Sequence, residues 1–336
     1  FENFSIRDTV KRDASGAWVI VPDPTDPDKT EWSSVDTAIA ALGLLDAQVA
    51  LGLDASATVQ FIQDIDWDAL LLPGGLSHGY TYGGELLTSA WDTFGGESVL
   101  IDLLYAAAER ALPPLQYPTP PTANGSGFID ELSWLFVLPP GRPDAWGVDW
   151  TAYRAQAAAA QLAYYPDEYP GDCFDQLGLF GLSAGEVPDP SAVVKDDIYQ
   201  AFGVGGRFSA PLDGSLLLGS PVVLPHYAGM VAALQPQPAE DLWAWLIAGP
   251  FSPLNNVESL AFPAGACGYA DMTWNHLKGS WNLALQALGL GRQLAPRSGQ
   301  AYAPWQATLQ HPFLRGGYEI LFPGSLSSLY LPLVLK

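Results

Sequence analysis

Glu97 follows a glycine pair, Gly95 and Gly96, at the mouth of an apolar run, and the stretch leading to it is crowded with rings and acids. Trp67, Tyr80, Tyr82, Trp91 and Phe94 supply flat apolar faces, and His78, Glu85 and Asp92 supply polar tips. Sugars present patches of C–H beside hydroxyl groups, so aromatic faces flanked by carboxylates are a common physical solution for binding them. Glu97 itself admits two readings. A carboxylate in the first turn of a helix is favoured by the helix dipole, and the same position can aim an acid at a ligand. Core packing likewise accounts for any one of these aromatics taken singly.

Composition narrows the chemistry. The chain has 336 residues, 49% hydrophobic and 12% aromatic, enough to bury a large core. Its 14 Lys and Arg stand against 36 Asp and Glu, a net charge of -22 that repels polyanions, so neither nucleic acid nor anionic lipid is an expected partner. No apolar run approaches the roughly 18 to 20 residues needed to cross a bilayer, and FENFSIRDTV has no signal-peptide pattern. A soluble protein whose signal peptide has been removed, secreted or periplasmic, is the expectation. Cys173 and Cys267 permit a disulfide without requiring one, and no Cys/His cluster has metal-ligand spacing, so neither a structural zinc nor a cofactor is expected. Twelve Trp in an acidic, Lys-poor chain is a composition common among exported carbohydrate-active proteins.

The elements that must position these residues read mainly as helices. After an irregular lead-in over 1–32, SSVDTAIAALGLLDAQVALGL places a Ser cap ahead of Val35, Ile39, Leu42, Leu45 and Val49 at helical spacing. ASATVQFIQDI follows as a second helix and 96–112 as a third. Further helices are predicted over 128–138, 149–164, 190–202, 224–234, 238–248 and 276–290, and strands at AWVIV and YEILF near the two ends. No repeat of 20–50 residues and no linker divides the chain, so one helical domain over 1–336, a closed ring of helix pairs, is the economical expectation.

Several blocks, in order, resemble the bacterial glycoamylase-like glycoside hydrolases, a group that includes beta-1,2-glucanases and the cyclisation domain of cyclic beta-1,2-glucan synthases. The blocks are SSVDTAIAALGLLDAQVALG, DIDWDALLLPGGLSHGYTYGGE, WDTFGGESVLIDLLYAAA, LGLFGLSAG, DGSLLLGSPVVLPHYAGMVAAL, NNVESLAF and GSWNLALQALGLG. The resemblance implies an all-α (alpha/alpha)6 toroid with a few short peripheral strands and a cleft at one end of the inner helices.

It also implies residues. Asp36 in Ser-Val-Asp-Thr, Trp67 after Asp66, and His78-Gly79-Tyr80 match cleft motifs, and Trp91 to Glu97 matches a Trp-x5-Glu at a helix start. Phe180 and Ser183 fall in the match to Trp-Gly-Leu-Thr-Ala, Asp213 to Ser215 in the match to Asp-Gly-Thr, and Asn256, Glu258 and Ser259 in the match to Gly-Phe-x-(Asp/Glu)-Ala. On this basis Glu97 and Glu258 are the catalytic candidates, one a protonated acid and the other an ionised carboxylate, as glycoside hydrolysis requires. Asp36, Trp67, His78, Tyr80, Trp91, Asp92, Asp130, Glu131, Phe180, Ser183, Glu186, His226, Asn256 and Trp281 are the candidates for contacting a carbohydrate substrate. For Glu258 the bland reading is a solvated acid at a helix start, and of Asp130 and Glu131 one is expected on the surface because neighbours on a helix point apart.

Two departures stand out. Thr151-Ala152-Tyr153-Arg154 replaces an acid followed by Asn-Ser, and Lys278-Gly279-Ser280 replaces Asp-Gln-Gly, so an acidic position used in part of the family is missing. Two rival readings follow: a toroid that binds glycans without turning them over, and a polysaccharide lyase recruiting His78, Tyr80, His226 or Tyr227, for which a strongly acidic chain is poorly suited. Gly181-Leu-Ser183-Ala-Gly185 echoes the hydrolase elbow without its strand and helix context, which argues against an esterase.

Overall fold

Ser33 ends an extended segment and starts a helix: its hydroxyl oxygen accepts the backbone N–H of Asp36 at 3.2 Å, and the helix runs over Ser34–Ala50. The structure is a computed structural model, and it describes residues 2–3, 9–12, 14, 18–21, 31–81, 83–91, 96–114, 125–137, 141, 143–186, 188, 199–204, 222–251, 257–263, 265–275, 279–298 and 310–324. Among these are ten α-helices, which hold about half of the described residues: α1 (Ser34–Ala50), α2 (Ser56–Gln63), α3 (Gly96–Glu109), α4 (Gly127–Phe136), α5 (Trp150–Glu168), α6 (Cys173–Leu177), α7 (His226–Val231), α8 (Pro236–Ala248), α9 (Ser280–Ser298) and α10 (Pro312–Leu321). The protein is mostly helical, as expected, with strands of two to four residues between the helices.

The chain divides into two compact units, one made of Phe1–Pro121, Pro143–Val148 and Ala303–Lys336, the other of Thr122–Arg142 and Asp149–Tyr302. In the first, α3 is buried along nearly its whole length, from Gly96 to Ala107 except Glu97, and α10 packs against it. Gly317 makes that approach close: a Cβ there would stand 2.6 Å from the Ala107 nitrogen and 2.7 Å from the Leu103 oxygen. A three-stranded antiparallel sheet joins Glu2–Asn3, Glu31–Ser33 and Gly79–Thr81, pairing Trp32 with Tyr80. Gly79 has φ of 137°, and a side chain there would collide with the Trp32 carbonyl, so the sheet needs glycine at this position.

In the second unit Asp149 caps α5 by accepting the N–H groups of Thr151 and Ala152. Gln161 on α5 donates to the carbonyls of Gly125 and Leu182 and accepts the Leu182 N–H, tying α5 to the start of α4. A disulfide joins Cys173 at the start of α6 to Cys267.

Two segments differ from the sequence expectation. Tyr318 to Leu321 of YEILF lie in α10, where Phe313, Leu314, Gly317, Tyr318 and Leu321 share the buried face at helical spacing behind Pro312 in the first turn. The predicted helix over 190–202 is contradicted at Tyr199–Ala201, which is a strand paired antiparallel with Ala184–Glu186; residues 189–198 lie outside the described residues. A short apolar run carries no period long enough to separate strand from helix, and its partner decides.

Candidate active site

In the first unit two of the predicted residues, Trp91 and His78, meet at the N-terminus of α1. The Trp91 indole N–H donates to Ser34 Oγ at 2.9 Å, and the Trp91 ring lies over the His78 imidazole with centroids 4.1 Å apart and planes 32° from parallel. The Ser34 N–H donates to the His78 carbonyl at 2.9 Å, and the Ser34 hydroxyl proton can go to the Ser77 carbonyl at 2.8 Å or to that of His78 at 3.0 Å. His78, Trp91 and Asp36 are all half-buried. Tyr80 is half-buried too, and its hydroxyl donates to the Ala69 carbonyl at 3.2 Å.

Glu97 sits in the first turn of α3, the one half-buried residue in that helix's otherwise buried run from Gly96 to Ile101. Desolvation, reinforced by the negative charge of Asp36, raises its pKa to about 8. A carboxyl raised this far holds its proton at neutral pH and can donate it. Deeper along α3, Asp102 is buried and its pKa is also pushed well up by desolvation, with Asp144 adding to it.

Trp67 does not join Trp91 and His78. It is 4% exposed, its indole N–H donates to the Ile62 carbonyl at 3.1 Å, and it meets Tyr105 edge to face, which makes it a core residue. Asp92 lies outside the described residues, as do Tyr82, Phe94 and Asn256.

The second unit gathers a different set. Glu258 is not a solvated acid at a helix start: it precedes the strand Ser259–Ala261, is 0% exposed, and its Oε1 accepts from Asn282 Nδ2. The same Asn282 nitrogen donates to the Ala184 carbonyl at 2.9 Å. Gly185 makes the room, since a Cβ there would lie 2.5 Å from Glu258 Oε1 and 2.6 Å from Leu224 Cδ2. Next to Gly185, Glu186 is half-buried, and desolvation raises its pKa.

Asp130 and Glu131 are both buried, so neither is a surface acid, and the structure explains how two adjacent acids are tolerated. The Tyr153 hydroxyl donates to Asp130 Oδ1 at 2.5 Å, and the Gly125 N–H to Oδ2 at 2.8 Å. Arg154 Nε donates to Glu131 Oε2 at 2.5 Å. Burial still leaves the Glu131 pKa raised against the opposing pull of Arg154. Arg154 and Arg292 also lie over the Trp134 ring, at 4.8 and 4.5 Å from its centroid. The departure at Tyr153 and Arg154 therefore supplies partners to the two acids.

Ser183 is buried, and its oxygen accepts the Phe128 N–H at 3.0 Å, capping α4 from outside the helix. Phe180 is buried edge to face against Tyr227, and His226 is buried as the first residue of α7. Trp281 is half-buried and stacked on Phe136, with centroids 6.2 Å apart and planes 11° from parallel. Sequence reasoning missed Ser34 and Asn282. Ser34 stands next to the capping Ser33 and Asn282 next to Trp281, but a hydroxyl or amide whose partners are distant in the chain leaves no local pattern.

No protein-family model matches the chain, and no curated protein matches it by sequence. Solved structures do match it in three dimensions. A candidate glucoamylase from Bacteroides caccae superposes with a TM-score of 0.62 at 16% identity, over 89% of this chain and 74% of that one. An endo-beta-1,2-glucanase from Chitinophaga pinensis, in complex with sophorotriose and glucose, gives 0.55 at 13% identity over 86% and 71%. A beta-1,2-glucanase from Parabacteroides distasonis gives 0.61 at 12% over 88% of this chain, which spans 46% of that longer one. The chain shares the fold of these proteins.

Proposed function

We propose that the protein is a glycoside hydrolase acting on a glucan, with Glu97 as the general acid. The observation that carries this reading is a carboxyl lifted to about 8 in the same unit as the Trp91 ring that lies tilted over His78. An acid that keeps its proton at neutral pH can protonate the leaving oxygen of a glycosidic bond, while aromatic faces hold the sugar ring. The fold shared with two beta-1,2-glucanases supports a beta-glucan substrate, and the mostly helical character of the described residues supports an (alpha/alpha)6 toroid. Glu258, matched in the Asn-Val-Glu-Ser block and fixed by Asn282, is the proposed second carboxylate. Asp36, whose negative charge helps raise the Glu97 pKa, and the half-buried Tyr80, Glu186 and Trp281 are proposed substrate contacts.

The Cys173–Cys267 disulfide supports work in an oxidising compartment, the periplasm or outside the cell.

One observation favours a second reading, a glycan-binding protein without turnover: Tyr153 and Arg154 engage the carboxylates of Asp130 and Glu131. Sugar release from a panel of α- and β-linked glucans, including linear and cyclic beta-1,2-glucans, decides between them. Release from one glucan is expected. Binding without release from any of them would favour the second reading, and neither binding nor release would refute both.

A further inference from the structure

Trp91 reaches its place over His78 through one side chain. Ser34 is the first residue of α1, two positions before Asp36, and its hydroxyl meets at two points the antiparallel hairpin in which Ser77 pairs with Ala90 and Tyr80 with Leu86. Its oxygen takes the Trp91 indole N–H at 2.9 Å, and its proton goes to the carbonyl of Ser77 or His78. Its backbone N–H donates to the His78 carbonyl as well. Within the hairpin the main chain is held by His78 N–H donating to the Ser89 carbonyl and Trp91 N–H donating to the Leu76 carbonyl. Those bonds fix where the backbone passes. They leave the torsions of the Trp91 side chain free, and an indole has one polar atom by which to be oriented, its donor-only N–H. Ser34 is the acceptor for that N–H.

We propose that Ser34 is a positioning residue for sugar binding: it orients the Trp91 indole so that Trp91, tilted over His78, presents a fixed apolar face to a pyranose ring. The proposal rests on the carbohydrate reading above and adds the residue that sets the platform's geometry. Two side chains on the paired arms of the hairpin must be held in one arrangement for a ring to stack. A hydroxyl that accepts from one and donates to the carbonyl beneath the other does this with a single group. The role belongs to binding and not to the proton transfer, since Ser34 meets no carboxylate in these bonds.

The test compares Ser34→Ala, Ser34→Thr and Trp91→Ala for KM and kcat on the glucan that the panel identifies, or for Kd on that glucan if it binds without release, with thermal unfolding followed in each. Removing the hydroxyl leaves the indole N–H without its acceptor, whereas threonine keeps an Oγ in place. Ser34→Ala is expected to raise KM or Kd about tenfold with kcat within about twofold, and Ser34→Thr to restore most of the affinity. Trp91→Ala is expected to raise it by at least as much. A Trp91→Ala variant of unchanged affinity overturns the sugar wall itself. A weakened Trp91→Ala beside an unchanged Ser34→Ala overturns the positioning role alone, as does an equal loss in Ser34→Ala and Ser34→Thr. If Ser34→Ala does not fold, Trp91→Phe, which keeps a flat face but lacks the N–H, takes its place: affinity equal to wild type would overturn the role.

Discussion

Arg154 Nε stands 2.5 Å from Glu131 Oε2 with both side chains shut away from water, and Tyr153, the preceding residue on α5, holds Asp130, the preceding residue on α4, at the same distance. Two successive residues of one helix thus meet two successive residues of another. Breaking a buried ion pair on one side leaves an uncompensated charge, which costs about 3–5 kcal/mol. Arg154→Met should therefore lower the unfolding free energy by that order in chemical denaturation, while Arg154→Met combined with Glu131→Leu should recover much of it. A single variant as stable as wild type would show that the pair contributes little.

The raised pKa of Glu97 gives the pH dependence a definite sign. Its ordinary value is 4.5 and its folded value about 8, so the folded protein keeps a proton that the unfolded chain has released. The contribution of Glu97 to stability is fully present below pH 4.5 and is lost as pH rises toward and through about 8. Activity that needs the protonated acid falls over the same upper limb, near pH 8. A kcat/KM profile measured from pH 5 to 10 checks this, and Glu97→Gln should flatten the corresponding drop in stability.

Ser183 supplies a contrast. Because its oxygen caps α4, Ser183→Ala should cost about 1 kcal/mol of stability and leave turnover of a glucan within a few-fold of wild type. An esterase nucleophile would instead lose all its activity on an ester, so assaying both substrates separates the two roles.

The disulfide closes a sequence separation of 94 residues. In the loop-entropy account such a link stabilises by about 4.6 kcal/mol. Unfolding in the presence of a reductant, or of a Cys173→Ser and Cys267→Ser double variant, should show a loss of that order in the second unit.

Much of the helical framework was legible in the sequence because it is written locally. The Ser cap and apolar spacing of α1, Gly96 at the start of α3 and the Asp cap of α5 each sit at the element they define. What failed depended on distant partners. YEILF reads as a strand until Phe313 and Leu314 are seen to extend its buried face, and Tyr199–Ala201 is a strand because Ala184–Glu186 lies beside it. The site divides in the same way. Trp91 and His78 could be named from their residue types and do meet, but Trp67, of the same type and nearby in sequence, turns into the core. Asp130 and Glu131 looked like one inward and one outward acid until Tyr153 and Arg154 gave both a buried partner.

The most direct test of the central claim is turnover by Glu97→Gln on two substrates: the glucan that wild type hydrolyses, and an aryl glycoside of the same sugar whose phenolate leaves without needing a proton. If Glu97 is the general acid, the variant loses about 10²–10⁴-fold on the glucan and far less on the aryl glycoside, while its fold is intact. Equal turnover by variant and wild type on the glucan would contradict the assignment.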